Sequence, residues 1–313
     1  MKRAVIDLGT NSVLLLIGQS RDNGKIDILH QRYVVSRLGQ QVFKSGELQP
    51  DAMARTMAVL QEYAGEIKQY GVDHVHLIGT EALRRARNND QFGDLIRRQL
   101  GWELKVISGK EEAAYCFSGA LDAVDSSNKN IVVMDVGGGS TEIIFGQDQV
   151  MGEFVSLPLG VVGLAEKFQM KEQLSKQDQV DLRKKIRHQL EKVTFLTKRE
   201  PEEVLIGVGG TITTIVAIKE NLHRYDPEKI NGFILDKKEV VEIFESLNRL
   251  THIQRRQIPA LVKGREDVIL FGTLIYLEMM EYAGFTAIAA SDRGLRFGYY
   301  KYIEGITGQR DEG

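Results

Sequence analysis

VVMDVGGGSTEIIFG, residues 132–146, decides the fold, and it predicts a strand, a tight glycine turn and a second strand. The earlier stretch AVIDLGTNSVLLLIG, residues 4–18, aligns with it without a gap. An aspartate, a glycine and a serine coincide in the alignment: Asp7 with Asp135, Gly9 with Gly137, and Ser12 with Ser140. Two aligned copies in one chain predict two similar units, each of which supplies half of a site.

Each turn has the composition of a phosphate-binding site. Glycines permit positive φ and let backbone N–H groups approach an anion, while hydroxyl and amide side chains add further donors. The predicted phosphate-binding residues are Gly9, Thr10, Asn11 and Ser12 in the first copy, and Gly137, Gly138, Gly139, Ser140 and Thr141 in the second. An aspartate beside such a turn would repel phosphate unless a divalent cation lay between them, so each copy predicts phosphate together with Mg²⁺. A single turn of this kind is more often a plain β-hairpin, and it is the pair that favours a site.

Composition limits the class of protein. The chain of 313 residues is long enough for two domains with their own cores. Lys and Arg number 41 against 43 Asp and Glu, so no global positive charge indicates nucleic-acid or membrane binding. The single Cys116 excludes an internal disulfide and a cysteine-rich metal site, and no apolar run approaches membrane-spanning length. We therefore expect a cytoplasmic protein that binds neither nucleic acid nor membrane.

Helix and strand patterns alternate after each copy, which indicates an α/β protein with duplicated βββαβαβα topology. The predicted first domain is residues 1–123, and the last helix, within residues 295–313, is expected to pack back on it. The predicted second domain is residues 124–294, entered through the polar connector at 125–130.

Two neighbouring glutamates in the first domain are expected to differ in role. SGKE, residues 108–111, has the spacing of a capping box, which assigns Glu111 to the start of a helix. Glu112 points about 100° further round that helix and is available for chemistry. Arg84 is expected in the first turns of another helix, capped by Thr80, close to the carboxyl end of a strand.

The order of motifs along the chain resembles the exopolyphosphatase and guanosine pentaphosphate phosphohydrolase family. The motifs are DLGTNS at 7–12, GTEALRRARN at 79–88, SGKEEA at 108–113, DVGGGSTE at 135–142, GVGGT at 207–211 and SDRGLRFG at 291–298. The resemblance extends over the whole chain and is to the short, two-domain form of the family. It implies two actin-like (ribonuclease H-like) lobes with an interdomain cleft.

The resemblance also implies roles for individual residues. Glu112 would be the base that activates water, and Arg84 would hold phosphate. Asp135 and Glu142 would bind Mg²⁺, with Asp7 as a further acidic residue at the metal. Arg265 is a weaker candidate for a phosphate contact, and the two turns would hold the phosphate chain from both sides.

The family resemblance implies inorganic polyphosphate or guanosine penta- or tetraphosphate as the ligand, and a homodimer as the assembly. Three departures from the family pattern, Gln40, Gly163 and Phe297, bear on substrate preference rather than on the reaction. Two other functions stay open at this point: a small-molecule kinase on the same superfold, and a sensor that binds phosphate-rich ligands without hydrolysing them.

Overall fold

The computed structural model describes residues 1–21, 26–127, 129–169, 171–198 and 203–306, which form two units. Unit 1 is Met1–Gly119 together with the described residues from Leu295 onward, and unit 2 is Ala120–Gly294. The predicted boundary was after residue 123. The short 3₁₀ helix Leu121–Ala123 belongs to unit 2 because it packs against that unit's strand Ala287–Ser291. Residues 22–24, whose sequence DNG predicts a hairpin turn, lie outside the described residues, as do residues 307–313.

Unit 1 contains one five-stranded sheet with the order β3-β2-β1-β4-β5. Its strands are β1 (Lys2–Leu8), β2 (Ser12–Ser20), β3 (Ile26–Val35), β4 (His74–Gly79) and β5 (Leu104–Val106). Its first helices are α1 (Val42–Ser45), α2 (Pro50–Tyr70), α3 (Glu81–Arg85), α4 (Asn89–Leu100) and α5 (Gly109–Ala120). The first three strands are antiparallel, whereas β4 and β5 run parallel to β1, so the carboxyl ends of β1, β4 and β5 lie at the same edge.

Unit 2 contains a six-stranded sheet with the order β10-β11-β9-β6-β7-β8. Its strands are β6 (Asn130–Val136), β7 (Thr141–Gln147), β8 (Val150–Leu157), β9 (Val204–Val208), β10 (Ile234–Asp236) and β11 (Ala287–Ser291). Its helices are α6 (Val161–Lys167), α7 (Lys176–Leu190), α8 (Gly210–Lys219), α9 (Pro227–Ile230), α10 (Lys237–Asn248), α11 (His252–Arg256) and α12 (Ile269–Tyr282). Five of the strands repeat the arrangement of unit 1, and β10 is an additional antiparallel strand at the edge. Both units are therefore actin-like lobes, as the duplication predicts.

The first strand of each unit is buried because helices cover both faces of the sheet. In unit 1, Ala4, Ile6 and Leu8 of β1 pack in one cluster with α2, whereas Val5 packs on the other face with the last helix, α13 (Leu295–Ile303). This explains the uninterrupted apolar run before Asp7. The predicted return of the last helix to the first domain is thus present, and α13 contacts β1 and β2.

Two predicted helices differ from the observed ones. The charged pattern of residues 175–198, with a serine at its start, predicts a single helix, but the helix ends at Leu190 and a 3₁₀ helix, Thr194–Lys198, follows it. Thr80 precedes α3 but makes no side-chain capping bond, so that part of the prediction was wrong. Within the described residues, none of the helices combines the length and the hydrophobicity needed to cross a membrane.

Candidate functional site

The two glycine turns have the same backbone hydrogen bond. In the first, Gly9 N–H donates to the carbonyl oxygen of Ser12 at 3.0 Å, and in the second, Gly137 N–H donates to that of Ser140 at 2.9 Å. We call residues 9–12 turn 1 and residues 137–141 turn 2. The sequence alignment of the two copies therefore corresponds to a repeated local conformation, which lies at the end of β1 in one unit and of β6 in the other.

Turn 2 is held in place by the start of α6. The N–H groups of Val161 and Val162 donate to the carbonyl oxygens of Gly137 and Gly138, at 3.1 and 2.9 Å. A trans peptide is planar, with its N–H opposite its C=O, so the N–H groups of Gly138 and Gly139 point away from α6. Neither N–H has an acceptor among the described residues. Turn 2 thus presents two amide hydrogens in the arrangement that binds an anion.

Close packing of the Gly160 backbone against turn 2 makes the hydrogen bonds between α6 and the turn possible. A Cβ on Gly160 would lie 2.3 Å from the carbonyl oxygen of Gly138 and equally close to the backbone of Gly139. Only glycine fits at residue 160. The hydroxyl of Thr141 donates to the carbonyl oxygen of Leu159 and ties the other end of the turn to the same segment.

Turn 1 is held by the loop of residues 36–39. Gly39 N–H donates to the carbonyl oxygen of Thr10 at 2.8 Å, which directs the N–H of Asn11 away from that loop. Arg37, whose φ is 55°, donates its N–H to the carbonyl oxygen of Asn11 at 2.9 Å. The hydroxyls of Ser12 and Tyr33 lie 2.5 Å apart.

The acidic residues differ between the two units. Asp135 on β6 is directly opposite Glu142 on β7, so both side chains lie on one face of the sheet, and Glu142 is only 2% exposed. Like charges directly opposite each other destabilise a sheet. A cation bound between the carboxylates would remove this repulsion. Ser156, opposite Glu142 on β8, donates its hydroxyl to Glu142 Oε1 at 2.7 Å.

Asp135, Glu142 and Ser156 thus form a row of side chains across three neighbouring strands. The corresponding row in unit 1 has one acid. Asp7 on β1 is 7% exposed and is opposite Leu14, which is in turn opposite Tyr33 on β3. Within the described residues, three or more His, Cys, Asp or Glu side chains do not cluster as metal ligands. Mg²⁺ typically uses one or two protein carboxylates together with water and substrate phosphate, so the Asp135 and Glu142 pair fits this ion.

Glu112 and Arg84, the predicted base and phosphate ligand, are hydrogen-bonded to each other. Arg84 Nη1 donates to Glu112 Oε2 at 2.5 Å and to the carbonyl oxygen of Ile107 at 3.0 Å. Arg84 Nη2 donates to Glu81 Oε2 at 2.9 Å. The sequence did not indicate this pairing, because 28 residues separate the two side chains.

The sheet explains why these residues meet. Thr80 N–H donates to the carbonyl oxygen of Leu8 at 3.3 Å, and Ile107 N–H donates to that of Gly79 at 3.0 Å. The carboxyl ends of β1, β4 and β5 are thereby joined, and the segments that follow them carry turn 1, Arg84 and Glu112. Ligand sites typically occupy this edge of a sheet with parallel strands.

The neighbouring Glu111 forms the predicted capping box. Its Oε2 accepts hydrogen bonds from the N–H and the hydroxyl of Ser108, at 2.8 and 2.9 Å, and Glu111 N–H donates to the Ser108 hydroxyl at 3.2 Å. The predicted role of Glu111 at the start of the helix is therefore confirmed.

The charges around Arg84 shift two pKa values. Burial acts to lower the pKa of the Arg84 guanidinium, but Glu112 and Glu81 outweigh burial and raise it above its ordinary value. Burial acts to raise the pKa of the Glu81 carboxyl, but hydrogen bonds from Arg85 and Arg84 hold it below its ordinary value. Both groups are charged at neutral pH.

Arg265 belongs to the same site as Asp135. A Cβ on Gly209 would lie 2.9 Å from Asp135 Oδ1, and a Cβ on Gly210 would lie 2.0 Å from the guanidinium carbon of Arg265. The adjacent glycines after β9 thus leave room for the carboxylate and the guanidinium. Gly209 also has a φ of 93°, which favours glycine.

The chain resembles known proteins over almost its whole length. The model of the Ppx/GppA phosphatase family matches residues 17–303. The chain belongs to the Ppx/GppA phosphatase family. It is 31% identical over 304 residues to exopolyphosphatase 2 of Mycobacterium tuberculosis, covering 93% of this chain and 95% of that protein. It is 26% identical to the guanosine-5'-triphosphate,3'-diphosphate pyrophosphatase of Vibrio vulnificus, covering 94% of this chain and 58% of that protein. The crystal structure of the Aquifex aeolicus Ppx/GppA family member superimposes with a TM-score of 0.82 at 31% identity, covering 99% of both chains.

The three departures from the Ppx/GppA pattern have different surroundings. Gln40 Oε1 accepts from Arg55, which also donates to the carbonyl oxygen of Ser36 and so supports the loop that holds turn 1. Phe297 is buried within the packing of α13. A Cβ on Gly163 would meet nothing within 4 Å, so this position on α6 is open.

The structure also adds residues that the sequence reasoning missed. They support the predicted residues of this Ppx/GppA protein: Glu81 lies within the motif at 79–88, and Tyr33, Ser156, Gly160 and Glu266 lie outside the six motifs. Glu266 accepts hydrogen bonds from Gly264 N–H at 2.7 Å and from Arg256 Nε at 2.6 Å, and its carbonyl oxygen accepts from the fully buried Arg255 at 2.7 Å. These bonds fix the loop that carries Arg265. No local pattern in the sequence indicates Tyr33, Ser156, Gly160 or Glu266, because their contacts depend on the fold. Glu81 was missed although it lies three and four residues before Arg84 and Arg85 on α3, at the spacing of side chains that meet on a helix.

Proposed function

We propose that this protein is a Mg²⁺-dependent phosphohydrolase that releases the terminal phosphate of inorganic polyphosphate, of guanosine pentaphosphate, or of both. The observation that carries the proposal is the pairing of Asp135 with the buried Glu142 on neighbouring strands beside turn 2. The relatives named exopolyphosphatase and guanosine-5'-triphosphate,3'-diphosphate pyrophosphatase support the substrate class.

In the proposed reaction, the amide hydrogens of turn 2 bind oxygens of the phosphate chain, and Arg265 adds a planar donor group beside Asp135. Asp135 and Glu142 would hold Mg²⁺, which would neutralise charge on the phosphate oxygens. Preorganised donors stabilise the charge that spreads over the phosphoryl oxygens in the transition state. Little covalent help from the protein is needed.

Glu112 acts as the base in this proposal. It takes one proton from water while the water oxygen bonds to the terminal phosphorus and the bridging P–O bond breaks. Orthophosphate and a chain shorter by one phosphate are the products. Arg84 keeps the Glu112 carboxylate in a fixed orientation through the hydrogen bond of 2.5 Å.

The test is phosphate release by Glu112→Gln, measured beside Glu111→Gln as a matched control on the same helix. Long-chain polyphosphate, short-chain polyphosphate, guanosine pentaphosphate and ATP are compared with and without Mg²⁺. We expect Glu112→Gln to lower kcat by about 10³-fold or more, within the range for loss of a general base together with its electrostatic role, and to leave polyphosphate binding intact. Glu111→Gln should retain activity.

Two results would contradict the proposal in different ways. Release at the wild-type rate by Glu112→Gln would show that Glu112 is not the base. Absence of turnover on every anhydride, together with measurable binding of polyphosphate, would show that the protein is a sensor rather than a hydrolase.

A further inference from the structure

Glu81 lies in a chain of ionic hydrogen bonds that ends at Glu112. Its Oε2 accepts from Arg84 Nη2 at 2.9 Å, and its Oε1 accepts from Arg85 Nε. The side chains of Glu81, Arg84 and Glu112 are only 13, 19 and 11% exposed. The chain is therefore sheltered from most of the solvent screening that weakens surface ion pairs.

The geometry of Arg84 requires a partner on each side. Nη1 donates to Glu112 and to the carbonyl oxygen of Ile107, and Nη2 donates to Glu81. Because a guanidinium is planar and rigid, acceptors on both Nη atoms fix the orientation of its plane. Without Glu81, Nη2 would lose this acceptor, and the guanidinium plane that donates to Glu112 would be held through Nη1 alone.

The local sequence gives Glu81 this role. Glu81, Arg84 and Arg85 lie on the short helix α3 at spacings of three and four residues, where side chains meet on a helix surface. α3 has five residues and no side-chain cap, so the ion pairs of Glu81 supply order that the helix ends do not. Arg85 is 46% exposed and holds the outer oxygen of Glu81.

We infer that Glu81 is a positioning residue for the Glu112 base and that it acts through Arg84. This inference rests on the proposed function, because it needs Glu112 to activate water. It also gives Arg84 a role other than the predicted contact with phosphate: both of its Nη atoms are engaged by protein acceptors, and one of those acceptors is the base.

The inference predicts a loss in kcat without a loss in substrate binding. Glu81→Ala should lower kcat by about tenfold and leave KM within about twofold, because a displaced catalytic group slows the chemical step. Glu81→Gln keeps an oxygen acceptor for Arg84 and should recover most of the wild-type kcat. Glu66→Gln is the matched control: Glu66 bridges His30 and Arg32 in the same unit at similar exposure, and its substitution should leave kcat unchanged.

A double-mutant cycle tests the route through Arg84. In the Arg84→Met background, Glu81→Ala should change kcat by less than about twofold, because residues acting in one chain are not additive. An equal tenfold loss in both backgrounds would overturn the inference, as would wild-type kcat in Glu81→Ala. A rise in KM with unchanged kcat would also overturn it. Thermal melting of each variant shows whether a loss in kcat is due to unfolding. If Glu81→Ala is unfolded, Glu81→Gln is compared with the wild type instead.

The same assay includes Glu112→Gln, which distinguishes a failure of the positioning role of Glu81 from a failure of the proposed function. If Glu112→Gln is inactive and Glu81→Ala is fully active, only the positioning role fails. If Glu112→Gln retains wild-type release, the proposed function fails first.

Discussion

Turn 1 and turn 2 share one backbone conformation and differ in the residues around them. Both have the hydrogen bond from the glycine N–H to the serine carbonyl three residues later, and both have carbonyl oxygens bound by a neighbouring segment. The supporting segment is the loop 36–39 for turn 1 and the start of α6 for turn 2. The capacity to present amide hydrogens to phosphate is therefore common to both units.

The rows of side chains beside the turns are not equivalent. Unit 2 has Asp135, Glu142 and Ser156 across three strands, and Ser156 donates to Glu142. Unit 1 has Asp7, Leu14 and Tyr33 at the equivalent positions. A cation would balance the two opposed carboxylates in unit 2, whereas unit 1 has one carboxylate beside an apolar side chain. The comparison therefore favours unit 2 as the place of the proposed Mg²⁺ site.

The largest expected effect concerns the acids. Glu142→Gln should lower kcat by about 10³-fold, because one of the two proposed metal ligands is lost, whereas Asp7→Asn should lower it by about tenfold. Addition of Mg²⁺ should raise the melting temperature of the wild type and of Asp7→Asn, and chelation with EDTA should reverse the rise; Glu142→Gln should show neither change. Equal effects of the two substitutions would refute the asymmetry between the units.

The next effect concerns the support of turn 2. Gly160→Ala introduces a Cβ 2.3 Å from backbone atoms of Gly138 and Gly139, so the turn must move, and kcat/KM for polyphosphate should fall by about 100-fold. Gly163→Ala on the same helix meets nothing within 4 Å and is the matched control, with unchanged kcat/KM.

Gly39→Ala tests the support of turn 1 in the same way. Its Cβ would lie 2.3 Å from the side-chain Cγ2 of Thr10, which can rotate, so the loss in kcat/KM should be smaller than that of Gly160→Ala. If Gly160→Ala had full activity, the rigid support of turn 2 by α6 would be wrong.

A smaller effect is expected from the hydroxyls at the ends of the two rows. Ser156→Ala removes the donor to Glu142 and should raise the Mg²⁺ concentration for half-maximal activity by about tenfold, as is typical for loss of a partner behind a metal ligand. Tyr33→Phe leaves Ser12 without this hydroxyl contact and should change the Mg²⁺ requirement by less than about twofold. The measurement is phosphate release over a Mg²⁺ titration, and a stronger Mg²⁺ effect in Tyr33→Phe would contradict the assignment of the metal to unit 2.

The last prediction concerns pH and the loop of Arg265. Burial acts to raise the pKa of Glu266, but hydrogen bonds from its own backbone N–H, Arg256 and Gly264 hold it below the ordinary value. A carboxyl with a lowered folded pKa stabilises the protein above its unfolded pKa of about 4.3, and this contribution is lost as the pH falls through the folded pKa. The free energy of unfolding of the wild type should therefore exceed that of Glu266→Gln at pH 6, and the difference should shrink as the pH falls below about 4. If the difference in free energy of unfolding between the two proteins were the same at pH 6 and pH 3, the charge of Glu266 would contribute nothing to stability.

Much of the fold could be predicted from the sequence, because the signals were local and repeated. The aligned stretches predicted the first two strands of each unit with the turn between them, and the spacing of Ser108 and Glu111 predicted the capping box. By contrast, β10 has three residues, which is too short for a hydrophobic period, and it was missed. The end of α7 at Leu190 was also missed, because the charged pattern continues beyond it.

The candidate site was predictable as a set of residues but not as a set of contacts. Motif positions indicated Arg84 and Glu112 separately, whereas their hydrogen bond depends on the neighbouring positions of β4 and β5 in the sheet. Gly160 and Glu266 have no chemistry that marks them in a sequence. Their roles follow from a backbone contact and from a loop conformation, which only the folded chain brings about.

The planarity of the peptide bond has a consequence for how this protein can evolve. The directions of the amide hydrogens in turn 2 are set by Val161 and Val162, whose N–H groups bind the opposite ends of the same peptide units. Those amide hydrogens can be misdirected by changes in α6, at residues that do not themselves supply the proposed ligand contacts. Natural selection for ligand affinity should accordingly restrict variation at Gly160 and in the neighbouring backbone as strongly as in the glycine-rich motif itself.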